Sequence, residues 1–155
     1  MTEFVYLHGF ASGPSSKKAT AFKNKFKEIG VSLNTPDLEG GNFENMTLTS
    51  QVNIVLDLLD QFQCKKVCLI GSSMGGYLAT LVAQRRVEVK ATYLMAPGFN
   101  FLERWMRSLK LDCDDETCWE PKIQIFHYRY DETKYIRTDI FKDAKNWRSL
   151  GLKRE

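Results

Sequence analysis

The residues Gly71-Ser72-Ser73-Met74-Gly75 constrain this chain more than any other feature. They follow the apolar run Val67-Cys68-Leu69-Ile70 and precede a stretch of helical character, Gly76 to Arg86. A G-x-S-x-G pentapeptide between a strand and a helix makes a turn so sharp that its serine takes a strained backbone conformation. Glycine stands on either side because side chains there would collide with the adjoining helix and strand. The serine oxygen is lifted off the sheet, above the N-terminus of the next helix. Ser73 is therefore the candidate nucleophile.

The segments around this turn alternate strand and helix. Glu3 to Leu7 reads as a short apolar strand, and Ser16 to Ile29 as a helix through Ala19, Phe22, Phe26 and Ile29, closed by Gly30. Val31 to Asn34 reads as a short strand stopped at Pro36, and Asp37 to Thr47 as a loop. Thr49 or Ser50 caps the next helix, whose apolar positions include Val52, Val55, Leu58, Leu59 and Phe62. Lys66 to Ile70 is the central strand. Lys90 to Met95 and Lys122 to Phe126 are further strands, and Thr138 to Leu150 is a last helix. This order predicts an α/β fold with a mostly parallel sheet and helices on both faces. The amphipathic stretch Phe99 to Leu111 is either a lid over an apolar pocket or a helix packed on the body.

At 155 residues the chain is one domain, large enough to bury a core. Its net charge of +3 is spread along the sequence, so nucleic acid is not an expected partner. Lys17, Lys18, Lys23, Lys25 and Lys27 read as the solvated face of one helix. No apolar run is long enough for a membrane span, and MTEFVYLHGF lacks the form of a signal peptide, so a cytoplasmic location is expected. Cys64, Cys68, Cys113 and Cys118 have no metal-site spacing and are expected to be reduced. Cys113 and Cys118 could bridge a short loop under oxidising conditions.

Active groups in such a sheet gather at the carboxyl ends of the strands. Ser73 stands at one, Leu7-His8-Gly9-Phe10 at a second, and Asp131 a few residues beyond a third. A serine hydroxyl needs a general base, a group to orient that base, and two N–H donors for the oxyanion. Met74 and Phe10 are the expected donors, with His8 and Gly9 supporting their loop, and Asp131 is the expected orienting carboxylate. Glu132 and Asp139 compete for that role. His8 and His127, the chain's 2 histidines, read as structural braces, with substitution as the base open to either.

The stretch Val5-Tyr6-Leu7-His8-Gly9-Phe10-Ala11-Ser12-Gly13-Pro14-Ser15-Ser16-Lys17-Lys18-Ala19 resembles the N-terminal signature of the YqiA-type esterases, a small α/β-hydrolase family. The elbow with Gly76-Tyr77, Ala96-Pro97, and the run Ile125 to Thr133 resemble the same family, so the likeness covers residues from about 4 to 135. It implies an α/β-hydrolase fold and hydrolysis of a small acyl ester or thioester through an acyl-enzyme, without cofactor or metal. It also implies that Asp131 belongs to a triad. This chain has Tyr128 where the family usually has glycine after the histidine. The family's catalytic histidine follows one further strand, in a loop expected just after residue 155, so the fold is expected to be C-terminally shortened. A sheet edge exposed there would favour self-association. The other reading is a non-catalytic or truncated hydrolase-fold protein that binds a ligand or a partner.

Overall fold

Strand β2, Val67–Ser72, is the centre of the sheet, and its residues explain why. Val67, Leu69 and Ile70 are buried, as a strand covered on both faces requires. The computed structural model describes residues 2–63, 66–111, 117 and 119–148. In it β1, Glu3–Leu7, lies parallel to one edge of β2, from Glu3 opposite Val67 to Leu7 opposite Gly71. Strand β3, Val89–Met95, lies parallel to the other edge, with an irregularity at Val67 and Cys68. The order is β1-β2-β3.

Alternation along β1 divides the core. Val5 and Leu7 enter the larger cluster, with Val52 and Val55 of α2 (Leu48–Asp60) and Leu78 and Val82 of α3 (Met74–Ala83). Phe4 and Tyr6 face the opposite way, onto Ala19, Phe22 and Phe26 of α1 (Lys17–Glu28). Helices thus cover both faces, as the element order predicts. Ile29, expected on the apolar stripe of α1, is 71% exposed, because the helix ends at Glu28.

The cap of α2 is Thr47, not Thr49 or Ser50. Thr47 Oγ1 accepts the Ser50 N–H at 3.0 Å and Ser50 Oγ accepts the Thr47 N–H at 2.9 Å, a reciprocal capping box. Thr49 is turned to another partner: its N–H and hydroxyl donate to Asp143 at 2.8 and 2.6 Å. The strand expected at Val31 to Asn34 reduces to an isolated parallel bridge between Asn34 and Val5. The expected loop after it contains a short 3-10 turn, Phe43–Asn45.

The main departure concerns β4, Lys122–His127. It does not extend the parallel sheet. It pairs antiparallel with β5, Glu132–Arg137, a strand the sequence reading passes over. The physical reason is in its residues. Lys122, Gln124 and Phe126 are exposed while Ile123 and Ile125 are partly covered, which suits a strand with one wet face. The hairpin turn docks on the loop after β1, with the Tyr128 N–H donating to Ala11 O at 3.1 Å. Helices α4, Phe101–Ser108, and α5, Asp139–Arg148, complete the order.

Among the described residues no helix is long and apolar enough to cross a membrane, and no group of acidic, histidine and cysteine side chains is arranged to hold a metal. Cys68 is an unbridged thiol whose pKa burial raises. The Cys113–Cys118 pair lies outside the described residues.

Candidate active site

β2 ends at Ser72 and α3 begins at Met74, so Ser73 alone carries the turn. Its φ of 53° and ψ of −121° are left-handed backbone that a non-glycine residue rarely adopts. The surroundings hold it there. Its N–H donates to Met95 O at 3.0 Å, and its carbonyl accepts from Gly76 at 2.9 Å and from Gly98 at 2.8 Å. The pentapeptide glycines are sterically required. A β-carbon on Gly71 would meet Gly75 O and lie 2.5 Å from Gly76 Cα, and one on Gly75 would meet Leu7 O and lie 2.5 Å from His8 O. Helix α3 therefore packs backbone to backbone against the ends of β1 and β2, leaving Ser73 exposed above them.

Gly9 brings the loop after β1 against the serine: a β-carbon there would stand 3.4 Å from Ser73 Cβ and 4.0 Å from its Oγ. Neither the Phe10 nor the Met74 N–H donates to another described residue. The Phe10 ring is fixed by Phe101 and Trp105 of α4, at centroid distances of 5.4 and 5.1 Å.

His8 is buried beneath this loop with both nitrogens engaged. Nδ1 lies 2.9 Å from Gly9 O and Nε2 accepts the Leu38 N–H at 3.1 Å. That pattern fixes the neutral ring with its proton on Nδ1. Burial lowers its pKa, and the Gly9 carbonyl only partly offsets this. The ring braces the loop after β1 against residues 37–39.

His127 is fully buried in the hairpin, with Nε2 2.6 Å from Glu39 Oε1. Its ring lies between Phe43 and Tyr130, at 4.5 and 4.7 Å, and its Nδ1 has no partner among the described residues. Burial, aided by Lys134 and Arg129, holds the imidazole below its ordinary pKa. Burial, aided by Asp37, pushes the Glu39 carboxyl up to about 7. Arg129 joins the cluster through Asp37 at 2.7 Å. Burial alone would raise the pKa of Asp37, but the Arg129 hydrogen bond and charge leave it lowered. Glu39 and Asp37 escape a local reading of the sequence: a loop carboxylate carries no mark of a histidine 88 residues away.

Asp131 lies a few residues beyond β4, in the exposed turn of the β4–β5 hairpin, with φ 54° and its N–H donating to His127 O at 2.9 Å. It does not line the space in front of Ser73 and has no histidine as a side-chain partner among the described residues. Gly9 and Ser73 thus stand against each other, with Phe10 and Met74 next to them in the chain, while neither Asp131 nor His127 lines the space in front of Ser73.

In front of Ser73 is a cleft of about 920 Å³. Phe101, Arg104, Trp105 and Ser108 of α4 line it, while Leu102 and Met106 of the same helix are buried in the core. One helix thus serves as both wall and core element, which joins the two readings of this stretch. The hairpin supplies Ile125, Phe126 and Tyr128, and α1 supplies Lys17 and Lys18. Lys18 Nζ donates to Ser72 Oγ at 3.2 Å.

A protein of Mycoplasma pneumoniae named as an esterase/lipase is 36% identical over 104 residues, which is 61% of this chain and 37% of that relative. A Mycoplasma genitalium protein of the same name is 36% identical over 100 residues, and again 37% of it is covered. Among solved structures, a protein of Agrobacterium vitis named as a hydrolase superposes with a TM-score of 0.76 at 22% identity, covering 94% of this chain and 60% of that one. Est1E of Butyrivibrio proteoclasticus, solved with ferulic acid, gives 0.75 at 20% identity, covering 94% and 61%. Mouse alpha/beta hydrolase domain-containing protein 10 gives 0.67 at 21% identity, covering 93% and 60%. This chain therefore spans little more than a third of the bacterial relatives and about three fifths of these structures. The superpositions show an α/β-hydrolase fold, and the model of the uncharacterised protein family UPF0227 matches residues 3–151, so the chain belongs to that family.

Proposed function

We infer that this chain is a serine hydrolase that cleaves carboxylic esters or thioesters through an acyl-enzyme on Ser73. The observation that carries the reading is Ser73 itself, held at φ 53° and exposed to a cleft, with the N–H groups of Phe10 and Met74 without acceptors among the described residues. The relatives named as esterases and hydrolases support it. Ser73 Oγ attacks the acyl carbon while its proton passes to solvent water. The carbonyl oxygen becomes an oxyanion, which accepts hydrogen bonds from the Phe10 and Met74 N–H groups. The tetrahedral species collapses, the C–O or C–S bond to the leaving group breaks, and the alkoxide or thiolate takes its proton from solvent; water then adds to the acyl-enzyme, which releases the acid and returns a proton to Ser73 Oγ. One oxyanion donor contributes about two to three orders of magnitude in rate.

The base sets the limit. His8 has both nitrogens occupied and His127 is sealed against Glu39, so neither is poised to take the Ser73 proton. Acylation by this chain then rests on positioning and the oxyanion contacts, with Asp131 in reserve as the orienting carboxylate for a histidine brought beside it. The engaged histidines also favour a second reading, a hydrolase-fold protein that binds acyl ligands without turning them over.

Fluorophosphonate labelling with a Ser73→Ala control, followed by turnover of a 4-nitrophenyl ester, tests both. Labelling and turnover lost in the control support the hydrolase. A folded chain that neither labels nor turns over supports the binding protein.

A further inference from the structure

We propose that the cleft in front of Ser73 selects ligands with an apolar body and an anionic group, a carboxylate or a phosphate. Its charge is one-sided. Lys17 and Lys18 enter from the first turn of α1 and Arg104 from α4, while among the described residues no aspartate or glutamate lines the cleft. None of the three cations has an acidic side chain as partner among the described residues. Elsewhere the pattern differs: Arg86, Arg129 and Arg137 each sit on a carboxylate. Like charges gathered on a shared cavity, with no counter-ion among the described residues, are a cost that an anionic ligand relieves.

The apolar half is on the same walls. Phe10, Phe101, Trp105, Ile125 and Phe126 face the cleft, enough surface for an alkyl chain or an aryl ring. Lys18 ties the two halves to the chemistry, because its ammonium donates to Ser72 Oγ, on the residue preceding the nucleophile. A smaller hollow of about 490 Å³ shares Ser12, Ser16, Lys17 and Tyr128 with the cleft and adds Arg129. Asp37 already neutralises that arginine, so the uncompensated charge belongs to the main cleft.

As a substrate class, this rests on the esterase reading and narrows it to esters bearing a carboxylate or phosphate. As a binding property it stands apart from turnover. Calorimetric titration with octanoate and with 1-octanol compares an anionic and a neutral probe of equal chain length. Octanoate is expected to bind roughly tenfold tighter at low salt, an advantage that shrinks as ionic strength rises. Lys17→Ala/Lys18→Ala/Arg104→Ala removes the advantage. Lys23→Ala/Lys25→Ala/Lys27→Ala, which changes the net charge equally on exposed positions of α1 that do not line the cleft, keeps it. Equal binding of the two probes, or an equal loss in both triple variants, overturns the proposal.

The matching kinetic pair is 4-nitrophenyl valerate against the 4-nitrophenyl half-ester of glutaric acid. The half-ester is expected to have the lower KM, and the ratio falls towards one in the cleft variant. Turnover of both esters with equal KM counts against the anionic selection while leaving the esterase reading intact. Absence of turnover together with selective octanoate binding does the reverse.

Discussion

The Nε2 atom of His127 and the Oε1 atom of Glu39 meet at 2.6 Å in a site closed to solvent. This pair fastens the β4–β5 hairpin to the loop that follows Asn34. Leu38, beside Glu39, donates its N–H to His8, so the brace under the Gly9–Phe10 loop and the anchor of the hairpin are adjacent residues. Placement of the hairpin wall and support of the Phe10 loop are therefore coupled through three consecutive positions, Asp37, Leu38 and Glu39.

The pair gives opposite pH signatures when broken from either side. Glu39 is raised from 4.5 to about 7 in the fold, so its contribution is full below pH 4.5 and is lost as pH rises to about 7. His127 is lowered from 6.5, so its contribution is present above pH 6.5 and is lost as pH falls. Between the two ordinary values the folded pair holds its proton on Glu39, and the unfolded chain holds one on the histidine. The opposing slopes cancel. His8, which burial also lowers, adds the same rising slope to the wild type and to both variants, so the comparison is with the wild type. His127→Gln loses a rising contribution, and its slope between pH 4.5 and 6.5 shifts downward. Glu39→Gln loses a falling contribution, and its slope over the same range shifts upward. Either shift approaches about 1.4 kcal/mol per pH unit. Urea unfolding of the wild type and both variants across this range decides it, and shifts of the same sign from the wild-type slope sink the argument.

Strain at Ser73, the proposed nucleophile, predicts a trade of stability against function. Ser73 occupies φ 53°, ψ −121°, where a side chain costs about 1–3 kcal/mol and glycine costs little. Ser73→Gly is expected to raise the unfolding free energy by about 1 kcal/mol, after allowance for the freer unfolded chain, and to abolish acylation. Ser73→Ala abolishes acylation without that gain. Conversely, Gly75→Ala drives a β-carbon into the carbonyls of Leu7 and His8 and is expected to cost about 3 kcal/mol or more. Denaturant midpoints of the three variants test the ordering, and a Ser73→Gly protein no more stable than Ser73→Ala contradicts it.

How much of this was legible in the sequence depends on how local the cause is. The elbow is written in five consecutive residues whose steric demands act over a few ångströms, so Ser73 and its glycines could be read directly. The strands and helices around it follow from periodicity. The α2 cap moved to Thr47 because Asp143, distant in sequence, claims Thr49. Strand β5 was passed over although Lys134 and Ile136 are more covered than Tyr135 between them, an alternation that only a partner strand makes meaningful. Lys17 and Lys18 looked like helix surface, and they are exposed. That they share a cleft with Arg104 is a consequence of packing α1 and α4 around one sheet end.

Thr49 is the second long-range fastening. Asp143 accepts its N–H and its hydroxyl, and Trp147 Nε1 donates to the same hydroxyl oxygen at 2.9 Å. The carboxylate also sits at the N-terminus of α2, where negative charge is favoured. Asp143→Ala is expected to cost about 1–2 kcal/mol and to loosen α5 first. Hydrogen exchange of α5 amides checks this, since a merely global loss would speed exchange evenly through α2 and α5.

The leaving group should govern turnover. With His8 and His127 both engaged, no ring stands ready to take the Ser73 proton or to return it to a departing alcohol. A triad without its base keeps about three to four orders of magnitude over water, from the oxyanion hole and binding. What it cannot do is protonate an alkoxide. 4-Nitrophenyl esters, whose leaving group departs as a stable anion, should therefore be cleaved measurably, phenyl esters far more slowly, and ethyl esters not detectably. Ser73→Ala removes the 4-nitrophenyl activity as well. Comparable rates for nitrophenyl and ethyl esters would mean that a general acid–base group reaches Ser73 during turnover. His8→Gln and His127→Gln would then show which of the two rings leaves its partners to do so.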